Sequence, residues 1–172
     1  MHICSCKKSY HISRLWEFYA DNYSGFCIEY DFNKVYSDII SNSYDKLLLC
    51  LPVTYTNYIP TFNVELFIDE YIKGRLSFLD NSISPELINL FFKHSFRKNI
   101  DFSIEKEWRI IWKGKSNSLF HFPYISRIIL GKNISLENEQ RLLHIATSLN
   151  IDVYKQSVTK DTFDYDYVKI SL

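Results

Sequence analysis

Glycine and proline are scarce in this chain, four of each in 172 residues. That scarcity argues against disorder, collagen-like repeats and chemistry built on glycine-rich loops. No Gly-x-x-x-x-Gly-Lys, Gly-x-Gly-x-x-Gly or Gly-x-Ser-x-Gly stretch occurs, which disfavours P-loop, dinucleotide-fold and α/β-hydrolase functions. No charge of either sign predominates, because 20 basic residues balance 20 acidic ones. A broad electrostatic footprint for nucleic acid is therefore not expected. No apolar run is long enough to span a bilayer, which would take about 20 residues. The start, "MHICSCKKSYHISRLW", lacks the apolar middle region of a signal peptide. These features point to a soluble, cytoplasmic protein with no membrane partner.

Cysteine is also sparse: Cys4, Cys6, Cys27 and Cys50. A disulfide framework does not suit a chain of this size and spacing. A zinc reading would combine His2, Cys4, Cys6 and one distant cysteine, but the one-residue gap is shorter than structural zinc sites use. Buried or free thiols are the simpler reading. The histidines His11, His94, His121 and His144 form no i, i+4 pair, so no metal site is assigned.

Aromatic residues are abundant: 13 Tyr, 13 Phe and 3 Trp. Such side chains carry large apolar areas and can cement a core or line a groove. The length suits a single domain over residues 1–172.

Periodicity and turn signals predict the elements. Leu15, Trp16 and Tyr19 recur at helical spacing, with Ser13 as a cap and Ser24-Gly25 as the stop. "GFCIEYD" alternates as a strand, and residues 33–46 suit a short helix or an irregular excursion. A third helical period runs over 62–79. The pattern from Ser84-Pro85 through Leu87, Leu90, Phe91 and His94 is a clear helix. "SLENEQRLLHIATSLN" is another, capped by Ser135, with Glu137 in its first turn. Strands are expected near 25–31, 51–56, 105–112, 125–130, 151–157 and 166–171. Without regular βαβ alternation, this order predicts an α+β fold, a mixed and mostly antiparallel sheet with two to three packed helices. Trp108, Ile110, Trp112, Ile128, Leu130, Leu142 and Ile145 are the expected core.

The stretch "IEKEWRIIWKG", residues 104–114, carries the candidate chemistry. Extended over 105–112, it puts Glu105, Glu107, Arg109 and Ile111 on one face, with Trp108, Ile110 and Trp112 on the core face. Two carboxylates and a guanidinium on a strand form an ordinary solvated face or a weak ion-pair ladder. In a cleft, the same groups could steady a sugar oxocarbenium ion and grip a phosphate. Trp16 and Tyr19 pack a core, or else wall a stacking site beside that strand. Asp21 reads first as a turn acid. The basic clusters "FRK" and "KGK" read as solvated faces, with a local phosphate contact as the alternative.

"LWEFYADNYSGFCIEYDF", "VTYTN", "KNIDFSIEKEWRIIW" and "ISRIILGKNIS" together resemble the bacterial domain of unknown function 2971 family. Phe102 stands where that family usually has Trp. Members usually begin with a further segment bearing a Tyr-x-Tyr strand, so the resemblance implies a truncated or shortened member. "EKEWRII" is also similar to the Glu-x-Glu strand of ADP-ribosyltransferases. That resemblance implies NAD as a substrate, Glu107 as the catalytic carboxylate and Glu105 as its acceptor-orienting partner, with Trp16, Tyr19 and Arg109 lining the pocket. The expected alternative is a noncatalytic interaction or structural module of a bacterial defence or toxin-like system, binding a protein or nucleic acid through its aromatic-rich surface.

Overall fold

The computed structural model describes residues 2–7, 9–42, 49–61, 63–72, 91–112, 124–162 and 164–170. The fold is α+β, with mixed, mostly antiparallel strand pairing. The described strands are β1 (His2–Lys7), β2 (Phe26–Tyr30), β3 (Leu49–Pro52), β4 (Thr54–Thr56), β5 (Arg97–Asn99), β6 (Glu107–Trp112), β7 (Ile125–Leu130), β8 (Asp152–Val158) and β9 (Tyr165–Ile170). The described helices are α1 (Ser13–Tyr19), α2 (Phe32–Asn42), α3 (Val64–Ile72) and α4 (Leu136–Leu149). A helical stretch over 91–95 leads into β5, and a 3-10 helix spans Ile100–Glu105.

Among the described residues the strands form three hydrogen-bonded sets rather than one. They divide into β1-β6-β3, β2-β7-β8-β9 and the parallel pair β4-β5. The split lies inside the segment 51–56, read above as one strand. β3 pairs with β6, Val53 is buried, and the Val53 amide donates to the Glu107 carbonyl at 2.9 Å. One residue later, the Thr54 amide donates to the Phe96 carbonyl at 2.7 Å, and the chain has changed sheets. This switch sets Tyr55 beside the start of β6. Strand β1 went unpredicted, although it pairs antiparallel with β6 along its whole length.

The four-stranded sheet buries both faces of β7. Ile128 and Leu130 pack with Val153, Ala146 and Ile151 on the α4 side, and Leu142 is partly buried against that core. Ile129 packs with Trp16 and Tyr23 on the other. Ile145 is 46% exposed, contrary to expectation. Helix α4 turns Leu142, Leu143 and Ala146 inward, and a helix that is half solvated cannot also bury the adjacent position. Ile110 is buried, and Trp108 is partly so, edge-on to Phe32 at 5.6 Å. The Trp112 side chain lies outside the described residues, as do 73–90, with the Ser84-Pro85 helix start, Leu87 and Leu90, and "KGK".

The ends of α1 and α4 differ instructively. Ser135 caps α4 as expected, accepting from the Asn138 amide at 3.3 Å, and Asn150 closes it in the left-handed conformation. Helix α1 instead has Ile12 at its N-cap position without a side-chain bond, and Ser13 is its first helical residue. Nor does Ser24-Gly25 end it directly. Asp21, Asn22 and Tyr23 all adopt positive φ, at 43°, 51° and 68°. Three consecutive left-handed residues other than glycine are costly, so the surroundings must hold them. The Gly25 amide donates to the Ala20 carbonyl at 2.9 Å, and the Asn133 amide to the Tyr23 carbonyl at 3.0 Å. Gly131 permits this closeness, since a Cβ there would lie 2.1 Å from the Tyr23 oxygen.

Candidate functional site

The carboxylates of "IEKEW" arise from different elements. The Asn99 side chain caps the 3-10 helix by accepting from the Asp101 amide at 2.8 Å, and the helix runs to Glu105. Lys106 then turns left-handed (φ 45°, ψ 47°), and β6 starts only at Glu107. The expected strand over 105–112 is thus two residues shorter, because the asparagine-capped turn continues through Glu105. The two side chains nevertheless converge, since both reach the same lysine.

That lysine is Lys98, on β5. Its Nζ donates to Glu105 Oε1 at 2.9 Å, to Glu105 Oε2 at 2.8 Å and to Glu107 Oε2 at 3.1 Å. Arg109 Nε donates to Glu107 Oε1 at 2.6 Å, and Arg109 also donates to the Ser95 carbonyl. The Tyr19 hydroxyl reaches across from α1 to Glu105 Oε1 at 2.9 Å. The Tyr55 hydroxyl accepts from the Glu107 amide at 2.8 Å. Among the described residues, two carboxylates, an ammonium and a guanidinium therefore balance one another in charge.

Burial decides how these contacts are read. Glu105 and Glu107 are each 3% exposed, so they do not form a solvated face. Burying a carboxylate is tolerated only with charge compensation and hydrogen bonds, and each of the four oxygens has both. Lys98 is the wetter member at 23% exposure. Its ammonium lies 5.0 Å from the Phe102 ring centre. Burial alone would lower its pKa, but the hydrogen bonds and charges of Glu105 and Glu107 raise it on balance. Burial, then the Glu105 hydrogen bond, raises that of Tyr19.

Of the residues singled out from sequence, Glu105, Glu107, Arg109 and Tyr19 meet here. Trp16 does not. It is buried against Tyr23 and Ile129 on the other side of α1, and its Nε1 donates to the Tyr10 carbonyl at 2.7 Å. Asp21 serves the left-handed turn, accepting from Ser24 Oγ at 3.1 Å. Lys98 and Tyr55 went unnoticed. Lys98 belongs to "FRK", read as a solvated face. Phe96, two residues away, is buried, and in an extended segment that spacing puts Lys98 on the same side.

The side chains of His2, Cys4 and Cys6 lie outside the described residues. Among the described residues, no group of three or more His, Cys, Asp or Glu could hold a metal ion. Among them, too, no helix is long and apolar enough to cross a membrane.

No curated protein and no solved structure matches the chain significantly. The family described as "Protein of unknown function (DUF2971)" matches residues 15–110. That span holds most of α1 with Tyr19, the left-handed turn, Tyr55, Lys98, Glu105, Glu107 and Arg109, and it exceeds half of the 172 residues. The chain belongs to the DUF2971 family.

Proposed function

We propose that this domain is a noncatalytic recognition module, and that its Glu105–Lys98–Glu107–Arg109 cluster is the internal frame of a protein-binding surface. The observation that carries this reading is the saturation of the carboxylates: every oxygen of Glu105 and Glu107 already meets a cation, at 3% exposure. A carboxylate that steadies a ribosyl cation must face the reacting carbon. Here that approach would first require displacing Lys98 or Arg109. Exposed apolar groups adjoin the frame along the chain: Phe18, next to Tyr19 on α1, and Ile100, Phe102 and Ile104 on the 3-10 helix that ends at Glu105. Aromatic anchors of this kind suit protein contacts.

Glycosyl transfer from NAD, with Glu107 catalytic and Glu105 orienting the acceptor, is the competing reading. Tyr19 supports it: 61% exposed, it leaves the carboxylate pair one side chain from solvent. A single substitution separates the two. As a frame residue, Glu107→Gln leaves Lys98 and Arg109 short of a counter-charge and lowers stability by about 3 kcal/mol, near the lower end for a broken buried pair. For a chain of this size that is a fall of about 6–12 °C in Tm, with no nicotinamide released from NAD by either protein. Nicotinamide release by the wild type, lost in Glu107→Gln at unchanged Tm, would overturn the proposal in favour of transfer.

A further inference from the structure

A second polar cluster lies across the four-stranded sheet from α4. Lys132 sits in the turn after β7, and Tyr165 opens β9. Lys132 Nζ donates to the Tyr165 hydroxyl oxygen at 3.0 Å. It also lies 4.5 Å from the Tyr23 ring centre and 4.7 Å from that of Tyr165. The two rings are 5.4 Å apart. Tyr23 is buried, and its hydroxyl donates to the Ser13 carbonyl at 3.2 Å. Lys132 and Tyr165 are both partly exposed. Among the described residues, no carboxylate comes within ion-pair distance of Lys132, although Glu17 on α1 contributes a weaker, more distant negative charge.

An ammonium with no carboxylate partner, aimed at a phenol oxygen, stabilises the phenolate. From this geometry we propose that Tyr165 is a nucleophilic site that accepts activated acyl groups, with Lys132 as its positioning residue. The Tyr165 oxygen attacks the acyl carbon, and the bond from that carbon to the leaving group breaks. The leaving group departs with the electron pair and takes up the phenolic proton. An O-acyl tyrosine results, with no redox change. The electrostatics of the pair agree. The Lys132 hydrogen bond, above all, lowers the Tyr165 pKa. Burial, above all, pushes Tyr23 up to about 12.

N-acetylimidazole is the probe, used on the whole folded chain with peptide-level mass spectrometry. Tyr36 and Tyr58 are exposed internal references. The expected result is that Tyr165 is acetylated at least about threefold faster than either, a modest gain because a lower pKa raises the phenolate fraction while reducing intrinsic nucleophilicity. Hydroxylamine should reverse the label, which distinguishes an O-acetyl tyrosine from an acetylated Lys132. Lys132→Met should bring Tyr165 down to the reference rate or below, while Tyr36 and Tyr58 are unchanged. Lys132→Arg should retain part of the advantage. Unfolding in urea should abolish it. Tyr165 reacting no faster than Tyr58, or a rate indifferent to Lys132→Met at unchanged circular dichroism, would overturn the assignment.

Discussion

Helix α1 feeds two clusters that handle positive charge in opposite ways. From one side, Tyr19 reaches the buried group in which Lys98 and Arg109 are met by Glu105 and Glu107. From the other, Trp16 supports Tyr23, with ring planes 5° apart and centres at 6.4 Å, and Tyr23 faces Lys132. Nearby, Arg127 lies against the rings of Tyr10 and Tyr154 at 5.6 and 5.3 Å, while Glu29 holds it from the side. In the first cluster the charges compensate one another fully, and removing one member strands the rest. In the second, aromatic faces do much of the work, and a lost cation strands no buried charge. The first should therefore govern stability, and the second is free to have chemistry.

The sharpest way to break this comparison is to remove one lysine from each cluster. Lys98→Met removes the cation that Glu105 and Glu107 share. Breaking a buried charge group in this way costs about 3–5 kcal/mol, or about 6–20 °C in Tm at this chain length. Lys132→Met forfeits a hydrogen bond worth about 1 kcal/mol and cation–π contacts worth about 0.5–1 kcal/mol. Thermal melts of the two variants side by side check the difference. Equal losses would mean that the ion cluster is wet enough for water to replace its partners.

How far these clusters could be read from sequence depends on the range of the interactions. Local signals sufficed for Ser135 at the start of α4 and for the alternation in β7, where Ile128 and Leu130 face the core. Tyr19, Glu105, Glu107 and Arg109 were picked out because three of them crowd into five residues and the fourth lies on a patterned helix. The convergence itself was not legible. It requires the sheet switch at Val53, which brings Tyr55 to β6, and the pairing of β4 with β5, which aims Lys98 inward. Neither has a local sequence signature. Glu105 was placed on a strand because alternation alone cannot distinguish an extended residue from the end of an asparagine-capped turn. The signal was present in "NID", where Asn99 followed two residues later by an acid marks a helix start. Trp16 was assigned to the candidate pocket by helical spacing with Tyr19, yet the short helix turns the two residues toward different clusters.

A gentler test concerns the link between α1 and the ion cluster. Tyr19→Phe removes only the hydroxyl that donates to Glu105 Oε1. Hydrogen bonds to charged groups contribute about 1.5–3 kcal/mol when buried, but Tyr19 is largely exposed and water can take its place. The expected loss is about 1 kcal/mol, or about 2–4 °C. Tyr23→Phe offers the matched change on the opposite cluster, where the lost bond runs to the neutral Ser13 carbonyl. The Tyr19 variant should be the less stable of the two if charge assistance matters. The reverse order would show that burial of Tyr23 outweighs it.

The smallest effect, and the one that addresses the mechanism of the difference most directly, is the response to alkali. The folded-state pKa values of both Tyr19 and Lys98 are raised above their ordinary values of 10.0 and 10.5. A raised value means that the folded protein holds the proton more tightly than the unfolded chain does. The resulting stability is complete below the unfolded pKa and is lost as the pH climbs through the folded one. The ion cluster should therefore weaken from about pH 10 upward. Tyr165 has the opposite sign: its folded value is lowered, so ionisation in the folded state contributes stability above the ordinary tyrosine pKa. Tyr23, pushed up to about 12, offsets that gain within the same cluster. Differential scanning calorimetry between pH 8 and 11 should show a gradual fall in Tm for the wild type. Lys132→Met should fall more steeply, because it loses the Tyr165 contribution. Tyr19→Phe should fall less steeply, because one of the ion cluster's two raised groups is gone. Parallel slopes for all three proteins would mean that neither cluster couples its protons to the fold.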